Sequence, residues 1–261
     1  MPKIDSYALV SRLYYLFLTI LLKLTVKMAN PYFQFKQFTV WHDKCALKVG
    51  TDGVLLGAWA PAKEARQILD IGTGTGLVAL MLAQRSQAFI TALEIDKEAS
   101  IQATENVDRS PWQNRIEVVQ ADFKSYNPTQ RFDLIVCNPP YFIDSMKCID
   151  EQRNTARHNN ELNYEELLQG VSLLLSEDGV FTLVIPTVVS EKVKSIAAEY
   201  QLYPSRQLFV ITKPGANSKR TLINFTKEKQ VCQKEELLTE ISRHKYSQEY
   251  IDLTKAFYLK L

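Results

Sequence analysis

The stretch Asp70-Ile71-Gly72-Thr73-Gly74-Thr75-Gly76 decides the fold. It completes an apolar strand-like run, Gln67 to Ile71, and leads directly into the apolar helical pattern Leu77 to Arg85. A strand, a glycine turn and a helix in that order put the turn at the carboxyl edge of a parallel sheet, where open α/β sheets bind their ligands. Glycine at 72, 74 and 76 lets the backbone approach a ligand with no Cβ in the way, and the helix start offers unpaired N–H groups to an anion. The spacing G-x-G-x-G differs from the dinucleotide fingerprint G-x-G-x-x-G. Glu94 ends the next strand-like run, eighteen residues after Gly76, where a carboxylate can accept both hydroxyls of a ribose. The bland alternative is a glycine turn with a capping glutamate and no ligand. Loop, strand and acid in the required order favour a ligand.

Outward from this loop, β-like runs alternate with helical ones, the pattern of a parallel sheet covered on both faces. Strands are expected at Gln67–Ile71, Phe89–Glu94, Ile116–Gln120, Phe132–Cys137, Val180–Ile185, Leu208–Ile211 and Thr221–Phe225. Helices are expected at Leu77–Arg85, Lys97–Val107, Tyr164–Leu175, Val188–Tyr200 and near Gln248–Tyr258, with Asp96 as N-cap of the second. Turn composition, Lys213 to Ser218, separates the last two strands and predicts an antiparallel hairpin. The segment from Met28 to Pro61 precedes the first strand, a position from which a chain can fold over the ligand mouth.

An α/β chain of this kind resembles the seven-stranded, Rossmann-like class I methyltransferase sheet with its C-terminal antiparallel hairpin, rather than a dehydrogenase. The resemblance implies S-adenosylmethionine as ligand of the loop, held by Asp70, Gly72, Gly74, Gly76 and Glu94. It also implies that Asp122 takes the adenine amino group while Phe123 packs the ring. A surface turn is the competing reading at Asp122, because aspartate is common in turns.

The chain has 261 residues, 46% hydrophobic and 23% charged, enough for one full α/β core. A single domain is expected over residues 28–261. The formal charge of +2 conceals an asymmetry: residues 1–27 carry Lys3, Arg12, Lys23 and Lys27 against Asp5, leaving the body at −1. A near-neutral body argues against indiscriminate binding to long nucleic acid but permits a local basic face for one folded RNA. Cys45, Cys137, Cys148 and Cys232 have no paired spacing, which fits a reducing, cytoplasmic setting, and the scattered His42, His158 and His244 give no support for a metal site. The run Leu13 to Leu22 is ten residues long, too short to cross a bilayer, for which about 20 apolar residues are needed. No stable membrane association is expected. Residues 1–27 read as an over-extended start before Met28, as an added helix or as a membrane-surface anchor.

Asn138-Pro139-Pro140-Tyr141 begins as the fourth strand runs out beside the glycine-loop strand. A planar exocyclic amine has its lone pair delocalised into its ring and attacks a methyl sulfonium poorly. Two acceptors on its hydrogens, the Asn138 side-chain oxygen and the Pro139 carbonyl, would shift it toward a tetrahedral shape and aim it at the methyl. Consecutive prolines hold the loop extended, and Tyr141 offers a face on which an extruded base can stack. In isolation the tetrad is also readable as a plain turn.

The segment Phe38 to Trp59, FTVWHDKCALKVGTDGVLLGAW, together with Arg153 to Leu162 and Lys219-Arg220, resembles the bacterial tRNA1(Val) adenine-37 N6-methyltransferases from Phe33 to the C-terminus. The resemblance implies the adenosine beside the anticodon as substrate, the tRNA anticodon stem-loop as partner rather than DNA, and N6-methyladenosine as product. It places Thr51 near the amino-acid end of the cofactor, where a turn with a helix cap is the alternative. Arg153, Arg157, Lys219 and Arg220 are expected on a basic rim toward RNA phosphates, with His158 and Lys213 nearby. The loop and the tetrad alone also suit enzymes that methylate a release-factor glutamine, guanine N2 in ribosomal RNA or adenine in DNA. The absence of a separate target-recognition domain and of a second methyltransferase half argues against the last two.

Overall fold

The computed structural model describes residues 30–45, 48–139 and 162–260. The chain divides into Tyr32–Leu261, described below, and Met1–Pro31; the reading of residues 1–27 lies outside the described residues. The first unit opens with a short antiparallel pair, β1 (Tyr32–Gln34) and β2 (Thr39–Trp41), followed by α1 (Thr51–Trp59). The alternating core comprises β3 (Gln67–Ile71), α2 (Leu77–Arg85), β4 (Phe89–Glu94), α3 (Lys97–Asp108), β5 (Ile116–Gln120) and β6 (Phe132–Cys137). Then follow α4 (Tyr164–Leu174), β7 (Leu175–Pro186), α5 (Ser190–Glu199), β8 (Tyr203–Ile211), β9 (Arg220–Thr226) and β10 (Gln233–Leu238). A two-stranded hairpin, β11 (Glu240–Ser242) and β12 (Lys245–Tyr246), leads into α6 (Gln248–Thr254).

Eight strands share one sheet in the order β10-β8-β9-β7-β6-β3-β4-β5. Neighbours from β7 to β5 are parallel, and β9 runs antiparallel to both β7 and β8, so the expected hairpin is present. The seven expected strands are all here, and β10 adds an eighth at the edge, parallel to β8. Several boundaries are longer than expected, notably Leu175–Pro186 and Tyr203–Ile211, while the last helix stops at Thr254.

Successive residues of a strand face opposite sides, and the central strands feed two cores. Ile68, Leu134 and Val136 join the layer of α1, α2 and α6, whereas Leu69, Ile71, Ile135 and Cys137 join that of α4 and α5. Helix α1 is buried from Gly53 to Trp59, apolar all round, as an element enclosed by the fold must be. It lies unusually close to α2. A Cβ on Gly57 would sit 2.8 Å from Met81 Cβ, and one on Gly53 would sit 3.1 Å from a Leu77 methyl. Arg85 secures the far end, donating to the Gly57 and Ala60 carbonyls at 2.8 Å each. Those are carbonyls of the last turn of α1, which have no partner within the helix. Among the described residues, no helix is long and apolar enough to cross a membrane.

Candidate active site

Strand register brings the two motifs to one level. Ile71 is partnered with Leu93 on one side and Cys137 on the other. The next residue of each strand, Gly72, Glu94 and Asn138, therefore leaves the carboxyl edge on the same row. Adjacent strands lie about 4.8 Å apart, so the glycine loop and the Asn138 turn are immediate neighbours.

The three loop glycines all have positive φ, 69° at Gly72, 57° at Gly74 and 80° at Gly76. Side chains rarely adopt that region, which accounts for three glycines in five positions. A Cβ on Gly72 or Gly74 would meet nothing within 4 Å, so the loop faces open space. Gly76 instead packs toward Ala103 of α3 and caps the start of α2. Glu94 is only 8% exposed and organises the loop: its carboxylate accepts from Gly74 N–H at 2.8 Å and Asp96 N–H at 3.0 Å. Asp70 lies wholly inside, accepting from Thr73 Oγ1 at 2.6 Å. Burial, opposed by that hydrogen bond, pushes its carboxyl up to about 7.

At the end of β5, the Asp122 side chain accepts from Lys124 N–H at 2.9 Å, closing a single helical turn. Phe123 is buried in the second core, its ring pressed on α4 where a Cβ on Gly170 would come within 2.6 Å. Sequence reasoning passed over Ile95. It follows Glu94 directly and is 56% exposed, an apolar face at the carboxyl edge beside that acid. Its signal was the apolar residue after the strand-ending acid, where a polar turn is the usual choice.

The opening segment reaches this edge from above the sheet. Asn106 of α3 is buried and holds it, exchanging hydrogen bonds with both Trp41 N–H (2.9 Å) and Trp41 carbonyl (2.8 Å). The same Asn106 amide donates to the Thr75 carbonyl of the glycine loop at 2.9 Å. Partial burial, with Glu94, Asp96 and Asp43 nearby, pushes the Cys45 thiol up to about 11, so it stays protonated beside Glu94.

Thr51 starts α1 and is exposed, and a Cβ on Gly53 would sit 3.8 Å from the Asn138 side-chain nitrogen. Asn138 is half-buried and Pro139 buried. Between Thr51 and Gly53 in sequence, Asp52 accepts from Arg220 Nε at 2.9 Å, across to the start of β9. Arg220 thus ties the C-terminal hairpin to α1, while Lys219 beside it is exposed. Pro140, Tyr141, Arg153, Arg157 and His158 lie outside the described residues. Among the described residues, no three His, Cys, Asp or Glu side chains are grouped to hold a metal ion.

The model of the methyltransferase small domain family matches residues 46–213. A tRNA1(Val) (adenine(37)-N6)-methyltransferase from Bacteroides fragilis is 66% identical over 237 residues, covering 90% of this chain and all of its own. The chain belongs to that family. The tRNA1(Val) (adenine(37)-N6)-methyltransferase family extends to Aeromonas hydrophila, whose member is 44% identical over 89% of this chain and 99% of its own. A protein from Agrobacterium tumefaciens described as a predicted O-methyltransferase superposes with a TM-score of 0.63 at 19% identity. That likeness covers 79% of this chain and 96% of the other, and it shows the class I methyltransferase fold of the family.

Proposed function

We propose that this enzyme transfers a methyl group from S-adenosylmethionine to the N6 amino group of adenosine 37 in tRNA1(Val), in the cytoplasm, with the anticodon stem-loop as its partner. The observation that carries the reading is the shared row of Gly72, Glu94 and Asn138 on adjoining strands. S-adenosylmethionine supplies the electrophilic methyl on its sulfonium. The open loop at Gly72 and Gly74 fits its chain, the remaining lone pairs of Glu94 fit its ribose hydroxyls, and Ile95 offers an apolar surface to its adenine beside Asp122. Thr51 and Asp70 lie toward its amino-acid end.

On the substrate side, the Asn138 oxygen and the Pro139 carbonyl accept the two hydrogens of the adenine amino group. This orients the nitrogen lone pair and accommodates positive charge as the new bond forms. Tyr141 stacks on the base. The methylated nitrogen is acidic and gives its proton to solvent, so no protein base is required.

The decisive experiment incubates the purified protein with unmodified tRNA1(Val) transcript and measures N6-methyladenosine by nucleoside mass spectrometry. Methylation at position 37, absent with a release-factor substrate, is expected; modification of the release factor instead would overturn the reading. Asn138→Ala should lower the rate at least about 100-fold, the scale of losing one aimed hydrogen-bond partner, with S-adenosylmethionine affinity within twofold. Loss of cofactor binding in that variant would remove Asn138 from the substrate side.

A further inference from the structure

The carboxyl edge of the sheet is electrically divided at Asn138. On the β3, β4 and β5 side, the strand ends carry the acids Glu94, Asp96 and Asp122, Asp96 being the N-cap of α3, with Asp43 and Glu98 exposed nearby and Lys97 and Lys124 as the exposed cations among them. The other side is basic. Strand β8 is parallel to β7 through their shared antiparallel neighbour β9, so the β8–β9 turn, residues 212–219, emerges at the same edge as Asn138. Strand β10 is parallel to β8 and delivers the β11–β12 hairpin there as well.

Turn and hairpin are joined. Thr239 N–H donates to the Ile211 carbonyl at 2.8 Å, Thr239 Oγ1 to Thr212 O at 3.0 Å, and Glu240 N–H to Thr212 O at 3.3 Å. Ser247 fastens the hairpin's second leg, giving its N–H to the Thr239 carbonyl at 3.0 Å and its hydroxyl to the Leu238 carbonyl. The tip turns at His244, φ 63°, and Tyr246 stacks on Tyr250 with ring centroids 5.0 Å apart. The two pieces expose Lys213, Lys219, Arg243 and Lys245, with one acid, Glu240, at the hairpin's base. Among the described residues, none of these four cations is in an ion pair, whereas Arg220 is committed to Asp52. From β6 to β8 is three strand spacings, about 14 Å, and to β10 four, about 19 Å.

We propose that the β8–β9 turn and the β11–β12 hairpin form one docking face for RNA backbone, on which Lys213, Lys219, Arg243 and Lys245 contact phosphates flanking the base held at Asn138. The inference rests on the tRNA reading above. It gives the substrate a direction: the RNA arm lies over the C-terminal half of the sheet, away from the acidic cofactor side. Anchored cations on a turn and a hairpin hold register on the backbone without reading sequence.

The test compares wild type, Arg243→Ala/Lys245→Ala and Lys213→Ala/Lys219→Ala, with Lys63→Ala at the opposite edge of the sheet as control. Binding of tRNA1(Val) transcript is measured by fluorescence anisotropy across a KCl series, S-adenosylmethionine affinity by calorimetry, and methylation kinetics in parallel. Each double variant should bind RNA at least about tenfold more weakly, with the salt slope reduced by about 1.5, the share of two phosphate contacts. KM for tRNA should rise while kcat and cofactor affinity hold, and Lys63→Ala should match wild type. Unchanged affinity and slope in both doubles, with wild type active on tRNA, overturns the docking face alone. A wild type that neither binds nor methylates tRNA overturns the functional reading and the face together. Arg243→Glu/Lys245→Glu supplies a stronger perturbation at the same exposed sites, and a melting temperature equal to wild type shows that folding is intact.

Discussion

At the scale of single residues, Asp70 carries the sharpest physical consequence. Its carboxyl is raised from 3.8 to about 7, chiefly by burial. Between those values the unfolded chain has released a proton that the folded chain keeps, so this group's contribution to stability falls as pH rises and is fully lost above about 7. Asp70→Asn keeps an acceptor for the Thr73 hydroxyl and removes the ionisation. The urea midpoint of wild type should therefore drop relative to Asp70→Asn between pH 4 and 7.5, and a constant difference across that range would show that Asp70 is ionised throughout. The places of Gly72, Gly74 and Glu94 at the carboxyl edge are legible because glycine at positive φ and an acid ending a strand leave marks in sequence. Asn106 leaves none: an asparagine inside a helical pattern reads as a surface residue, and only the fold brings Trp41 and Thr75 to its amide. Arg220 is expected on the RNA rim by family resemblance, but its ion pair with Asp52 leaves no mark in sequence, because the two lie 168 positions apart.

At the scale of elements, the strands buried on both faces were legible because parallel sheets demand continuous apolar runs. Helix α1 and strand β10 were not, for opposite reasons. Strand β10 (QKEELL) is an edge strand whose charges face solvent, and only Leu237 is fully in the core. Its place is set by a bidentate pair, Arg206 to Glu235 at 2.7 and 2.8 Å, which crosses from β8 and holds the Glu235 carboxyl below its usual range. In α1 every residue from Gly53 onward is buried, so no polar face marks a helical period, and two glycines weaken the local helix signal. Their purpose is tertiary: Gly53 and Gly57, one turn apart, form the flat face on which α2 lies. Gly57→Ala puts a methyl 2.8 Å from Met81 Cβ, an atom fixed to the backbone. Overpacking of this kind costs about 1–3 kcal/mol, outweighing the gain of roughly 1 kcal/mol in helix propensity. Chemical denaturation should report that net loss, and a stabilised Gly57→Ala would show that the helices separate without strain.

At the scale of the whole molecule, the glycine loop and the Asn138 turn, proposed to hold cofactor and substrate, depend on different layers, and this makes their failures separable. The loop is braced by Glu94 from β4 and Asn106 from α3, on one side of the sheet's centre. Asn138 leaves β6 between the two halves, beside Gly53 of α1. Ligand that binds only the folded state stabilises it by mass action, about 2.7 kcal/mol at a hundredfold excess over its dissociation constant. For a chain of this size, that shifts the melting temperature by roughly 5–10 °C. Wild type and Asn138→Ala should show the same shift with S-adenosylmethionine. Gly57→Ala should start lower and shift by a similar amount, because its defect lies beneath the site rather than in it. Glu94→Ala should lose most of the shift, since it removes the ribose acceptor and frees the Gly74 and Asp96 amides together. A full shift in Glu94→Ala would mean that cofactor affinity resides in the glycine loop backbone, and Glu94 would then be a brace for the loop and not a ligand.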